Sequence, residues 1–164
     1  MKNTILASCL TVAALVGCSS NEKTNQMYLI PEGHKGYVYA MYNVPGAPKL
    51  KHEGDYSVHK INSEGYFATS EPDMNYGTVN DKYFYVDKEG HRTKIDNNCV
   101  KQLGTGGLEE HTGSNNNATV DMNYTGIQIR TEGCSEEFVT EGSTFEDEDS
   151  LNVAIDKVIQ KYYR

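Results

Sequence analysis

Hydrophobic and polar positions divide this chain into three textures. Residues 5–16 are uniformly apolar or small, residues 19–26 carry no periodic apolar pattern, and from Met27 onward short apolar or aromatic runs are separated by Gly, Pro, Asn and Asp. The last texture is that of a sheet protein. It predicts strands over 27–30, 36–42, 56–61, 66–69, 82–87, 91–95, 119–124, 126–131 and 137–140. Two turns support the reading, because Asn62-Ser63-Glu64-Gly65 and Asp87-Lys88-Glu89-Gly90 share one chemistry. Each opens with a side chain able to cap its own turn and closes with the residue that accepts a left-handed conformation. Residues 56–69 and 82–95 are therefore predicted hairpins. Val44-Pro45-Gly46-Ala47-Pro48 is a loop, since its prolines lack a ladder donor. Residues 96–118, rich in Gly and Asn, are read as a mobile loop.

The period changes to that of a helix only at the C-terminus. Leu151, Ile155, Val158, Ile159 and Tyr162 fall on one face, acids crowd Glu146 to Asp149, and Lys161 and Arg164 close the last turn, in keeping with the helix dipole. The predicted helix runs over 149–163, with its apolar stripe on the sheet. The fold class is mainly β, an antiparallel β-sandwich of transthyretin-like or immunoglobulin-like type with one C-terminal α-helix.

The opening texture is an address. Lys2 precedes the apolar run, which is too short to span a bilayer, a task needing roughly 20 apolar residues, and small Gly17 precedes Cys18. This is the anatomy of a cleaved secretory leader. Leu15-Val16-Gly17-Cys18 resembles the lipobox of bacterial lipoproteins, which implies that residues 1–17 are removed and that Cys18 becomes an acylated first residue. Two or more acyl chains hold a protein durably at a bilayer. The alternative is an ordinary leader with a coincidental cysteine. Residues 18–26 then form a lipidated tether and residues 27–164 a single domain. Ser19 in place of Asp lacks the usual inner-membrane retention signal. The expected location is the cell envelope: the outer membrane of a two-membrane host, or the outer face of the plasma membrane of a single-membrane one.

Charge narrows the partners. The chain carries 15 basic and 23 acidic residues, a formal net charge of −8, one unit more negative once Lys2 leaves. No basic stripe for nucleic acid is present, nor the clustered Lys and Arg that hold a protein on anionic lipid. The expected partners are the membrane, through the anchor, and an envelope protein or polysaccharide. Of the four cysteines, Cys9 leaves with the leader and Cys18 takes lipid. Cys99 and Cys134 remain, and an oxidising compartment favours a disulfide. Closing that loop stabilises the fold by about 4 kcal/mol in the loop-entropy model. Two buried thiols, or a metal pair, are the alternatives.

Catalytic patterns are thin. The five histidines occur singly, with no zinc spacing and no nucleophile elbow, and each is read as a solvated surface residue. The glycines near residue 105 lack the Lys-Ser/Thr of a phosphate loop, and Glu146 to Asp149 lack the ligand alternation of an EF-hand. No cofactor and no metal is expected. Twelve tyrosines and no tryptophan are the remaining oddity. Tyr37 with Tyr39, and Tyr83 with Tyr85, share a strand face pairwise. Either they form an open aromatic binding surface, or they pair across strands to cover the core; burial decides.

The segments Tyr28-Leu29-Ile30-Pro31-Glu32-Gly33-His34-Lys35-Gly36-Tyr37-Val38, Asn43-Val44-Pro45-Gly46-Ala47-Pro48 and Asp81-Lys82-Tyr83-Phe84-Tyr85-Val86-Asp87-Lys88-Glu89-Gly90-His91-Arg92 resemble small bacterial lipoproteins that share a domain of unknown function, with an I-P-x-G-x-x-G start, a Pro-containing loop and a Y-x-Y-V-D-x-x-G-x-R hairpin. The resemblance covers residues 28–95 and implies no assigned activity. The sequence favours a non-enzymatic envelope binding or structural module. The alternative is an envelope hydrolase using carboxylates and histidines, which requires those groups to converge in a cleft.

Overall fold

The structure, a computed structural model, describes residues 22–112, 118–141 and 148–163. The leader, Cys18, residues 113–117 and the first part of the acidic run lie outside the described residues. Among the described residues, nine strands form two sheets: β1 (Gln26–Pro31), β2 (Gly36–Tyr42), β3 (Lys51–Glu53), β4 (Tyr56–Lys60), β5 (Tyr66–Ala68), β6 (Lys82–Val86), β7 (Arg92–Lys94), β8 (Val100–Thr112) and β9 (Ala118–Ile129). One sheet has the order β3-β4-β1-β6-β7, the other β5-β2-β9-β8. Helix α1 (Glu136–Thr140) is short, and α2 (Glu148–Tyr162) closes the chain.

The sandwich is mainly β with a C-terminal helix, but its sheets are mixed instead of purely antiparallel. β1 runs parallel to both β4 and β6, and β2 runs parallel to β5. The cause is the path of the chain, which alternates sheets: β1, then β2 opposite, then β3 and β4 back, then β5 opposite, then β6 and β7 back. The three parallel pairs, β1–β4, β1–β6 and β2–β5, are thus each separated by a trip through the other sheet. Here the predicted hairpin over 56–69 is overturned. Its turn forms as expected, with Asn62 Oδ1 accepting from the Glu64 and Tyr66 N–H groups and Gly65 at φ +84°, but β4 and β5 enter different sheets. The hairpin over 82–95 does form, as β6 and β7.

Alternation builds three layers. Tyr28 and Ile30 of β1, Val38, Ala40 and Tyr42 of β2, and Ile127 and Ile129 of β9 fill the space between sheets. The opposite parity of β2, Tyr39 and Met41, packs with Leu151, Ala154 and Val158 of α2. β2 is therefore covered on both faces, and the predicted helix lies where its stripe requires.

Three further expectations are corrected. The predicted loop over 96–118 is largely β8, because its glycines make room for rings across the ladder. Gly106 is paired with Tyr124, whose ring lies 2.6 Å from where a Cβ would sit, and Gly126 is paired with Tyr39, whose ring lies 3.0 Å away. Gly106, read from sequence as part of a mobile loop, is a contact. The predicted strand over 137–140 is α1, since Ser135 Oγ caps the Phe138 N–H at 3.1 Å and two acids occupy the first turn, a strong helix-start signal. Finally, the ordered body begins before residue 27: Lys23 bridges Thr78, the Thr24 hydroxyl donates to Asp81, and Gln26 is 4% exposed within β1. Cys99 and Cys134 are joined by a disulfide with Cα atoms 4.4 Å apart, tying the 3₁₀ turn Asn97–Cys99 to the segment leading into α1.

Candidate ligand cleft

The outward parity of the five-stranded sheet leaves Met27, Leu29 and Val58 as a small apolar cluster, with Tyr56, Phe84 and Val86 packed against it. Long side chains from the flanking strands lie over this face, their apolar stems on the cluster and their charges in water. Lys82 Nζ stands 3.8 Å from the Tyr56 ring centroid. Arg92 reaches Met27 Sδ at 3.7 Å and grips Glu53 through two bonds of 2.7 Å each. Arg92 and Glu53 belong to opposite edges of the sheet. Five flat strands would hold those edges about 19 Å apart, beyond the combined reach of the two side chains, so the ion pair reports a strongly curled sheet with a concave outer face.

That concavity continues into a cleft of about 650 Å³, within the range of small-molecule sites. Leu29, Val58 and Val86 form its floor, with Phe67 and Ala68 from β5 and Tyr162 from α2. Its rim carries Lys49, Lys51, Lys60, Arg92 and Lys161 against the single acid Glu53. In a chain with net charge −8, that local excess of cations runs against the molecule as a whole. The hydrogen bonds from Arg92 hold the Glu53 carboxyl below the usual glutamate range and raise the guanidinium further, so the pair stays charged at neutral pH. An anion with an apolar body suits both parts of the cleft.

On the other face of the same sheet lies a smaller polar pocket of about 140 Å³, lined by His52, His59, Glu71 and Asp73 among others. His59 corrects the expectation of surface histidines, because strand parity sends Ser57 and His59 inward. It is fully buried, stacked on Tyr28 at 5.0 Å and met edge-on by Phe67 at 5.4 Å. Its Nε2 shares a 2.7 Å hydrogen bond with the Tyr42 hydroxyl, and its Nδ1 has no hydrogen-bond partner. Burial lowers its pKa to about 4, only partly opposed by the Ser57 carbonyl, so the ring is neutral at pH 7. No carboxylate bonds to it. Among the described residues, a histidine paired with an acid occurs at His91 and Asp87, 2.8 Å apart on an exposed turn. Asp87, Glu89 and His91 bring ligand atoms within 4.8 Å of one another there, but Asp87 is already engaged by the His91 N–H and ring.

The four tyrosines singled out from sequence do not share a surface. Tyr37 and Tyr39 are stacked at 6.5 Å on the face toward α2, where Tyr39 is 2% exposed. Tyr83 and Tyr85 face the space between sheets: Tyr83 is buried and stacked on Tyr28 at 5.5 Å, and the half-buried Tyr85 donates to the His34 carbonyl at 3.1 Å. Of the two readings offered for these rings, core packing describes Tyr39 and Tyr83, which are buried in different layers because β2 and β6 belong to different sheets. Sequence reading missed the cleft. The available signal was the alternation Lys51, Glu53 and Arg92, Lys94, which marks charged residues on one face of short strands.

With this geometry in place, comparison with known proteins identifies the domain. The family of unknown function DUF6843 matches residues 22–138, and the chain belongs to that family. The chain is also similar to the crystal structure of a "putative lipoprotein" from Bacillus anthracis, at 33% identity with a TM-score of 0.75, over 87% of this chain and 99% of that one. No curated protein matches.

Proposed function

We propose that this chain is a lipid-anchored, non-enzymatic binding module of the bacterial envelope, acylated at Cys18, whose concave cleft takes an anionic ligand with an apolar body. The lipobox, the leader and the lipoprotein name of the Bacillus anthracis relative support the anchor. The observation that carries the binding reading is an apolar floor under five cationic side chains in an otherwise acidic chain. Attraction of an anion to that rim adds specificity and encounter rate, while the floor supplies burial. Glu53 occupies Arg92 in the absence of ligand, and an incoming carboxylate, sulfonate or phosphate exchanges with it.

Mass spectrometry of the mature protein is expected to show a diacyl or triacyl adduct on Cys18. For the cleft, the acylated protein on phosphatidylcholine vesicles is titrated with anilinonaphthalene sulfonate. Saturable fluorescence above the vesicle background is expected, with affinity at least tenfold weaker in a Lys60→Gln, Arg92→Gln variant. Equal titrations of the two proteins would remove the cleft as the site.

A further inference from the structure

Glu22 is the first described residue and lies four positions after Cys18. An acyl group on that sulfur therefore keeps the folded body within about 14 Å of the attachment point, the reach of four extended residues. What surrounds residues 22–24 then faces the bilayer, and it is the loop 75–79. The Thr78 N–H donates to the Glu22 carbonyl at 2.9 Å, the Thr24 N–H donates to the Thr78 carbonyl at 3.1 Å, and Lys23 and Thr78 form a parallel bridge. Gly77 sits at φ +145°, with its α-carbon so close to this segment that a Cβ would run into the Glu22 carbonyl.

Among the described residues, three large hydrophobic side chains are more than half exposed: Tyr76, Val79 and Val153. Two of the three belong to this loop, and they line one depression together with Thr24. The loop is pinned in a way that keeps them out. Met74 is buried, Asp73 Oδ1 accepts from the Met74 N–H at 2.8 Å and from the Tyr76 hydroxyl at 2.9 Å, and Asn80 donates to Asn25 Oδ1 at 2.6 Å.

We infer that the loop 75–79 is a bilayer-contact surface: on the acylated protein Tyr76 and Val79 enter the interfacial layer beside the Cys18 anchor and set the orientation of the domain. This rests on acylation at Cys18. A tyrosine suits that layer because its ring is apolar and its hydroxyl wet. The charged neighbours include Glu22, Lys23, Asp73 and Asp81, so the contact does not select anionic lipid, and a zwitterionic bilayer suffices. The acyl chains supply the attachment, and the loop supplies direction. In that orientation the turns following Lys60 and Val86, which lie at the other end of β1 by the parallel register, point away from the membrane. The cleft end that holds Lys60 and Gly90 then opens outward.

The chain has no tryptophan, so Val79→Trp and Val153→Trp each give a single reporter in the full acylated protein. On phosphatidylcholine vesicles with brominated acyl chains, Val79→Trp emission is expected to fall at least twofold relative to unbrominated vesicles, and Val153→Trp emission to be unchanged. A protein that floats with the vesicles but shows no quenching at position 79, or equal quenching at both, overturns the contact and leaves the anchor standing. A protein that stays in solution with a bare Cys18 thiol overturns the anchor, and the contact with it.

Discussion

The two faces of the five-stranded sheet are built from alternate residues of the same strands and obey different physics. The inner face is buried and aromatic: Tyr28 lies between His59 and Tyr83, and Tyr42 closes on His59. The outer face is wet, a three-residue apolar cluster bridged by exposed charges that meet across a curled sheet. Burial makes each inner side chain matter to stability, whereas solvent screening leaves the outer charges free to serve a ligand.

Substitutions sharpen this contrast in descending order of effect. Tyr28→Ala empties the centre of the inner stack and is expected to cost about 4 kcal/mol, measured by urea denaturation at pH 7; a loss below about 1 kcal/mol would mean the stack is not a core. Next comes pH. The folded pKa of His59, about 4, lies below the ordinary histidine value. Its contribution is therefore fully present above about pH 6.5 and is lost as pH falls toward 4, by roughly 3 kcal/mol in all. His59→Phe removes that acid limb, so the gap between the stabilities at pH 7 and pH 4.5 should shrink relative to the parent; an unchanged gap would assign the limb to other groups.

Tyr42→Phe strips the hydrogen bond from a buried ring nitrogen and is expected to lose about 2 kcal/mol, with the His59 ring proton shifts moving in the same NMR sample. On the outer face, Glu53→Gln breaks an exposed ion pair and should change stability by less than about 1 kcal/mol. It frees Arg92, so binding of anilinonaphthalene sulfonate should tighten. A large stability loss, or weaker binding, would erase the distinction between the faces.

The two turns of matched chemistry show where sequence reading stops. Asn62 and Asp87 cap their turns in the same manner, and Gly65 and Gly90 take the same left-handed conformation, all legible because the interactions span five residues. Yet one turn closes a hairpin and the other passes the chain between sheets. Nothing within the turn encodes that choice. It is made by Ile61, whose N–H bonds to the Leu29 carbonyl, and by Tyr39, whose N–H bonds to the Gly65 carbonyl, partners some 30 residues away in one case. Similarly, Gly106 could be read as a sheet position only by knowing that the Tyr124 ring lies opposite.

By itself the sequence determined what depends on near neighbours or on composition: strand texture, the turns and the amphipathic α2, and it favoured the disulfide that joins Cys99 to Cys134. Tertiary structure alone decided which strands became neighbours, that His59 and Tyr83 are buried, and that Glu53 meets Arg92 over a cationic cleft. These features join residues far apart in the chain, and only the curl and stacking of the sheets brings such residues within the few ångströms over which contacts act.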